Sequence, residues 1–147
     1  QWAVQTALGG HQSIDDLVCE GGRLRVQRDL AWELINAIPG VSCVKPQGAL
    51  YMFPRLDPEI YPIKNDQEFF LEVLQETKVM LVQGTGFNWP NPDHFRIVFL
   101  PHEADLREAI NSLAAFLAKY RQRHDTDKLV AAATVASKGK AKLQVAA

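Results

Sequence analysis

The sequence has no apolar run that approaches the ~20 residues of a membrane-spanning helix, and no basic, apolar leader opens it. It also has no excess of charge, because its 147 residues carry a formal net charge of -1. A strongly basic surface is typical of proteins that bind nucleic acid or anionic membranes. The composition therefore predicts a soluble globular protein whose partners include neither nucleic acid nor a membrane.

Cysteine is scarce, with only Cys19 and Cys43. A chain with 47% hydrophobic residues has enough apolar side chains to form a core without a disulfide. We therefore expect reduced thiols and a cytoplasmic location. The four histidines have neither the i, i+4 spacing nor the cysteine partners of a metal site, so no metal ion is predicted.

One glycine-rich segment, Gly84-Thr85-Gly86, invites comparison with phosphate-binding loops. It lacks a third glycine and a following Gly-Lys-Ser/Thr, and Trp89-Pro90 replaces the helix whose N-terminus would face a phosphate. A turn beside packed aromatic residues is the better interpretation.

Apolar periodicity predicts helices that alternate with short strands. We expect helices over residues 2–8, from Ser13 to a break at Gly21-Gly22, and over 23–38, 65–78 and 101–120. Strands are expected over 41–44, 49–53, 79–82 and 95–100. The strand at 49–53 has no charge, which predicts that both of its faces are covered. Residues 55–64 are expected to be irregular because of nearby prolines. The fold class is therefore α/β of the α+β type: a three- to four-stranded sheet covered by amphipathic helices, with a long C-terminal helix.

An arginine interrupts the last predicted strand. Side chains alternate along a strand, so Arg96 shares its face with Val98 and Leu100, and no acidic residue stands at either neighbouring position. A guanidinium matches a carboxylate in a planar two-point geometry. From the residues alone three interpretations remain open: a carboxylate-binding site, an internal salt bridge and an arginine that reaches solvent at the end of the strand. Lys45 is a rival candidate for catalysis, but beside Pro46 in a turn it is expected to be solvated.

Several segments, taken together, resemble the C-terminal part of class I/II, fold-type I aminotransferases, closest to the bacterial alanine-transaminase-like members. The resemblance covers about residues 1–121. Each segment is weak evidence alone, and the combination is specific. The segments are Gln5-Thr-Ala-Leu-Gly-Gly10, Arg28 to Ile38, Pro39-Gly-Val-Ser-Cys-Val-Lys-Pro46, Gly48-Ala-Leu-Tyr-Met-Phe-Pro54, Leu81-Val-Gln-Gly-Thr-Gly-Phe-Asn-Trp-Pro90 and Asp93-His-Phe-Arg-Ile-Val98.

The resemblance implies the small domain of a pyridoxal 5'-phosphate-dependent transaminase. Its expected substrates are alanine, or a similar small amino acid, and a 2-oxo acid such as 2-oxoglutarate. It implies that Arg96 binds the substrate α-carboxylate, and the further candidates for lining the substrate pocket are Leu50, Tyr51, Phe87, Asn88 and Trp89. The full-length protein is expected to be a homodimer.

The family's Schiff-base lysine, the aspartate that faces the pyridine nitrogen and most phosphate ligands lie upstream of the matching region. The sequence is therefore expected to be a piece of a longer protein in which a larger domain holds the cofactor. The chain alone is expected to be inactive, and no catalytic residue is assigned within it.

The same resemblance predicts the domain organisation. Residues 1–20 are expected to end an inter-domain helix region, residues 21–121 to form the small domain, and residues 122–147 to form a flexible Ala/Lys-rich tail. One alternative function is the effector-binding aminotransferase-like domain of a transcription regulator, which a DNA-binding winged helix upstream would favour. Another is an autonomous interaction domain of α+β type.

Overall fold

The computed structural model describes residues 1–130 and contains five helices and five short strands. The helices are α1 (Trp2–Gly9), α2 (Ser13–Val18), α3 (Arg23–Asn36), α4 (Asp66–Thr77) and α5 (Glu103–Arg123). The strands are β1 (Val41–Ser42), β2 (Tyr51–Met52), β3 (Arg55–Leu56), β4 (Val82–Gln83) and β5 (Phe95–Val98). A 3-10 turn, Gly84–Phe87, follows β4. The predicted α/β class and the long C-terminal helix are confirmed.

All strand pairs are antiparallel. Strands β1 and β3 form a two-stranded sheet, and β2, β5 and β4 form a three-stranded sheet with β5 at its centre. One face of β5 carries Phe95 and Ile97, which are buried with residues of α3, α4 and α5 in one core. The opposite face of β5 carries Arg96 and Val98, which remain partly exposed. The alternation of the strand therefore separates a core face from an open face.

The prediction that both faces of the 49–53 strand are covered is wrong. Strand β2 is only two residues long, and Met52 is 2% exposed whereas Tyr51 is 46% exposed. Met52 points to the core face, while the ring of Tyr51 packs against the guanidinium of Arg96 on the open face. A strand without charge can therefore still present an aromatic side chain to solvent.

Two further strand predictions are corrected. Residues Arg55–Leu56, expected to be irregular, form β3 and pair with β1. The nearby prolines do not prevent this pairing, because they lie outside the two residues of the strand. Strand β4 is Val82–Gln83 rather than residues 79–82, since these two residues are the ones that pair with β5.

Helix α4 begins within one residue of its predicted start, and Asn65 caps it. The side-chain oxygen of Asn65 accepts hydrogen bonds from the backbone N–H groups of Gln67, at 3.0 Å, and Glu68, at 3.3 Å. The helix ends at Lys78, whose φ of 62° is left-handed. A side-chain cap at one end and a left-handed residue at the other are ordinary helix boundaries.

The end of α5 is held by a buried arginine. Arg121 donates hydrogen bonds to the Tyr61 hydroxyl, at 2.7 Å, and to the carboxylate of Asp127, at 3.0 Å. The Tyr61 hydroxyl in turn donates to the carbonyl oxygen of Pro39, at 2.6 Å. The expected tail boundary at residue 122 thus falls within α5, and Asp127 contacts the folded domain.

The rest of the predicted tail, residues 131–147, lies outside the described residues. The division into residues 1–20, 21–121 and 122–147 stays a prediction. Within the part of the chain that the structure describes, no helix is both long enough and apolar enough to cross a membrane.

Candidate functional site

Arg96 lies on the central strand of the three-stranded sheet, between two aromatic rings. Its guanidinium carbon is 4.8 Å from the ring centroid of Tyr51 and 4.6 Å from that of Phe87. Tyr51 comes from β2 and Phe87 from the 3-10 turn after β4. The guanidinium is therefore held by cation–π contacts from two separate parts of the chain.

Among residues 1–130, Arg96 forms no ion pair with a carboxylate. Its Nε atom is buried and has no hydrogen-bond partner. A buried donor without an acceptor is unfavourable, and a guanidinium does not lose its charge in proteins. The internal salt bridge left open by the sequence therefore has no support among the described residues, and the geometry suits an anionic acceptor.

The loop that carries Phe87 is anchored at its start by Asp66, the first residue of α4. One carboxylate oxygen of Asp66 accepts the backbone N–H of Thr85 at 3.0 Å, and the other accepts the Thr85 hydroxyl at 2.7 Å. Gly84 is required beside this contact, because a Cβ there would lie 2.8 Å from the carbonyl oxygen of His94. The start of the loop is therefore fixed against both α4 and β5.

The loop is anchored at its end by Asp93. This carboxylate accepts hydrogen bonds from Trp89 Nε1 at 3.0 Å, His94 Nδ1 at 2.7 Å and Arg55 Nε at 3.3 Å. Because a carboxylate only accepts, Nδ1 is the protonated nitrogen of His94 in this contact. The rings of His94, Phe53 and Trp89 pack against one another, with the centroid of His94 5.0 Å from that of Phe53 and 4.4 Å from that of Trp89.

Partial burial acts to raise the pKa of Asp93, but the hydrogen bonds from His94, Trp89 and Arg55 outweigh it and leave the pKa below 3.8. A carboxyl group whose pKa is lower in the folded than in the unfolded protein stabilises the fold above its unfolded pKa. This contribution is lost as the pH falls through the lowered folded pKa.

We therefore expect Asp93→Asn to weaken the pH dependence of stability on the acid side. The free energy of unfolding of wild type should fall more steeply between about pH 5 and pH 2 than that of the variant. Urea denaturation at several pH values measures this difference. The exposed Asp15 provides a control, since Asp15→Asn should keep the wild-type slope. Identical slopes for wild type and Asp93→Asn would contradict the expected shift.

The other residues that the sequence analysis named as candidates for lining the substrate pocket lie in different places relative to Arg96. Trp89 contacts Phe53 and His94 in the same loop, and Asn88 has a left-handed backbone with φ of 59°. Leu50 instead lines a groove of about 420 Å³, and Arg96 is not among its lining residues. The structure thus brings Tyr51 and Phe87 to Arg96, places Asn88 and Trp89 in the adjoining loop, and assigns Leu50 to another surface.

Each of the five lysines in residues 1–130 is exposed, whereas a lysine that forms a Schiff base is usually desolvated. Lys45, the rival candidate, pairs with Asp29 at 3.0 Å and lies over the Trp32 ring. No group of three or more His, Cys, Asp or Glu side chains in this part of the chain could hold a metal ion.

Sequence reasoning missed the two carboxylates that anchor the loop. Asp66 was assigned no role, and Asp93 was named only as the first residue of a segment that resembles the family. Thr85 and Asp66 are 19 positions apart, and no local spacing rule links them. The adjacency of Asp93 and His94 is the one sequence signal that pointed to a hydrogen-bonded pair.

The fold and the site together define a small α/β domain that presents an arginine, flanked by aromatic rings, on the open face of an antiparallel sheet. The family model for aminotransferase class I and II matches residues 1–113. The chain belongs to this aminotransferase family.

Similar proteins agree with this assignment. The chain is 62% identical over 122 residues to an alanine aminotransferase of Mycobacterium tuberculosis and 58% identical over 122 residues to a glutamate-pyruvate aminotransferase of Escherichia coli K12. These matches cover 83% of the chain but only 28% and 30% of the two relatives. The chain therefore spans less than a third of the length of the curated relatives it matches.

Solved structures of aminotransferases also match this chain over only part of their own length. A crystal structure of an aminotransferase from Escherichia coli matches with a TM-score of 0.78 and 58% identity, over 81% of this chain and 30% of that chain. An alanine aminotransferase from Pyrococcus furiosus matches with a TM-score of 0.61 and 43% identity, over 65% of this chain and 24% of that chain.

Proposed function

We propose that this chain is the part of a pyridoxal-phosphate-dependent transaminase that binds the substrate carboxylate. The proposed reaction exchanges an amino group between alanine, or a similar small amino acid, and a 2-oxo acid. The names of the two curated relatives described above support this substrate class. None of the relatives reported above is a regulator by name, so the proposal keeps to the transaminase.

One observation carries the proposal: the Nε–H of Arg96 is buried without a hydrogen-bond acceptor, and no acidic side chain among the described residues pairs with this arginine. The rings of Tyr51 and Phe87 hold its guanidinium on the open face of the sheet. A substrate carboxylate would satisfy its donors in the planar two-point geometry that arginine favours. This arrangement is what an α-carboxylate site requires.

The contribution of this chain to the reaction is positioning. A two-point contact fixes the position and the plane of the substrate carboxylate. With the amino nitrogen also held, this sets the rotation about the bond between the α-carbon and its nitrogen. That rotation decides which bond at the α-carbon is aligned for cleavage, and such orientation is worth several orders of magnitude in rate.

The cofactor is assigned to residues outside the described part of the chain. Pyridoxal phosphate acts as the electron sink of such transfers when it is bound. The described residues do not fit a site for it, because their lysines are exposed and the Gly84-Thr85-Gly86 segment is tied to Asp66 rather than open to a phosphate. In the full-length protein we propose a larger domain that holds the cofactor, and a homodimer.

Two measurements test the proposal. The full-length protein that carries this chain, loaded with pyridoxal phosphate, should convert alanine and 2-oxoglutarate to pyruvate and glutamate. The 147-residue chain, incubated with the cofactor and borohydride, should show no specifically labelled lysine by mass spectrometry.

The two results have separate meanings. A full-length protein that transfers no amino group from any small amino acid would refute the transaminase. A single labelled lysine in the 147-residue chain would refute only the assignment of the cofactor to another part of the protein.

A further inference from the structure

We propose that Asp66 is a positioning residue for the Arg96 site, and that it acts through Thr85 on the ring of Phe87. This inference rests on the proposed function, because the effect is read out as carboxylate recognition by Arg96. Asp66 lies on α4, outside the sheet that carries Arg96. Its influence therefore depends on a chain of contacts that the structure describes in full.

The first contact is a buried carboxylate with both oxygens in use. Asp66 is 3% exposed, and Thr85 provides hydrogen bonds to both of its oxygens, from the backbone N–H and from the hydroxyl. A charged acceptor roughly doubles the strength of such bonds compared with neutral pairs. Among residues 1–130, no cation forms an ion pair with Asp66. Thr85 is therefore the principal partner of this buried charge.

A role in capping α4 does not account for Asp66. The neighbouring Asn65 already provides the side-chain cap, by accepting from Gln67 and Glu68. The negative charge of Asp66 is favourable in the first turn of a helix, but that interaction does not require both oxygens to face Thr85. Phe69 and Phe70, in the first turns of α4, are buried in the core. Core packing therefore holds the end of α4 that carries Asp66.

The second contact links Thr85 to Phe87. Thr85 and Phe87 belong to the same 3-10 turn, which is closed by the hydrogen bond from the Asn88 N–H to the Thr85 carbonyl oxygen at 3.0 Å. Phe87 is 44% exposed, and the only ring contact of its side chain among the described aromatic residues is with the edge of Phe53, at 6.3 Å between centroids. The position of its ring therefore depends on the turn, and at Thr85 the turn is bonded to Asp66.

The third contact is the one between Phe87 and Arg96. The guanidinium contacts the rings of Phe87 and Tyr51. The positions of these two rings therefore limit the directions in which its N–H donors can point. A turn that moves away from α4 releases one of the two rings. The guanidinium then samples more orientations, and fewer of them offer two parallel donors to a carboxylate.

Thr85→Val is the direct test, because it removes the hydroxyl and keeps the shape of an exposed side chain. In the full-length protein we expect the ratio of kcat/KM for alanine to kcat/KM for ethylamine to fall about tenfold, the effect of one charge-assisted hydrogen bond. Thr85→Ser restores the hydroxyl and should return the ratio to within about twofold of wild type. Asp66→Asn, which retains the size but not the charge, should lower the ratio as well.

Thr77→Val is the matched control at the other end of α4. Its hydroxyl donates to the Val73 carbonyl oxygen at 2.7 Å and accepts the Val79 N–H at 3.1 Å, and neither partner belongs to the 3-10 turn. This variant should lose stability without a change in the ratio. A second readout uses the 147-residue chain: acetate should shift the NMR signal of the Arg96 Nε–H, and Thr85→Val should weaken that titration.

The outcomes distinguish this inference from the function on which it rests. If Arg96→Lys collapses the ratio and Thr85→Val leaves it unchanged, the positioning role is refuted and the proposed function stands. The positioning role is also refuted if Thr85→Ser fails to restore the ratio, or if Thr77→Val lowers it equally. If Arg96→Lys itself leaves the ratio unchanged, the proposed function fails.

Discussion

Arg96→Lys in the full-length protein is expected to lower kcat/KM for alanine by about a hundred- to a thousandfold. The substitution keeps the positive charge on the open face of β5. It removes the planar pair of donors that would grip a carboxylate, and an ammonium makes a single-point contact on a flexible stem. The change therefore tests geometry rather than charge.

The preference between two substrates is the informative measurement for this variant. Ethylamine has no carboxylate, so its low kcat/KM should hardly change, while the value for alanine should collapse. Arg107→Lys is a matched control, because Arg107 is exposed and belongs to α5 rather than to the sheet that carries Arg96. It should leave both values at the wild-type level.

A different pattern is expected if Arg96 has only a structural role. The lysine variant would then lose thermal stability, and its ratio of alanine to ethylamine would equal that of wild type. Such an unchanged ratio would contradict the carboxylate site. Retained stability with a collapsed ratio would support it.

Phe95→Ala is expected to lower the free energy of unfolding by about 3–5 kcal/mol. Phe95 is completely buried, and its ring packs 5.3 Å from that of Phe70 on α4. Removing the ring loses its transfer free energy and leaves a cavity between the sheet and the helix. Because Phe95 precedes Arg96 on β5, the two predictions address opposite faces of one strand.

Val98→Ala is the control for this effect, since Val98 lies on the open face and is only partly buried. Urea denaturation of the chain should show a clearly smaller loss for Val98→Ala than for Phe95→Ala. Equal losses would contradict the division of β5 into a core face and an open face. A loss below about 1 kcal/mol for Phe95→Ala would mean that the core does not depend on that ring.

Local signals in the sequence were sufficient for the helices and for β5. The Asn65 cap, the break at Gly21-Gly22 and the long apolar period of α5 depend on residues within a few positions of each other, and the structure contains all three. Alternation along 95–98 was enough to separate Arg96 from the core residues of its own strand.

Pairings between distant residues were not predictable in the same way. Strand β3 exists because Arg55–Leu56 meets β1, and nothing within 55–64 indicates that partner. Tyr51 was expected to be covered because its strand is apolar, but the side of a strand that is covered depends on where the helices lie.

The sequence by itself determined the α/β class, the helix boundaries to within a few residues and the presence of an arginine on the open face of β5, because propensities, caps and side-chain alternation act over short separations. Tertiary structure alone decided how that residue is held. Phe87 contacts Arg96 from a loop whose two ends are hydrogen-bonded to Asp66 and Asp93, and the bonds from Thr85 to Asp66 span 19 positions. Contacts of that kind are set by the packing of α4 against the sheet, which no short segment encodes.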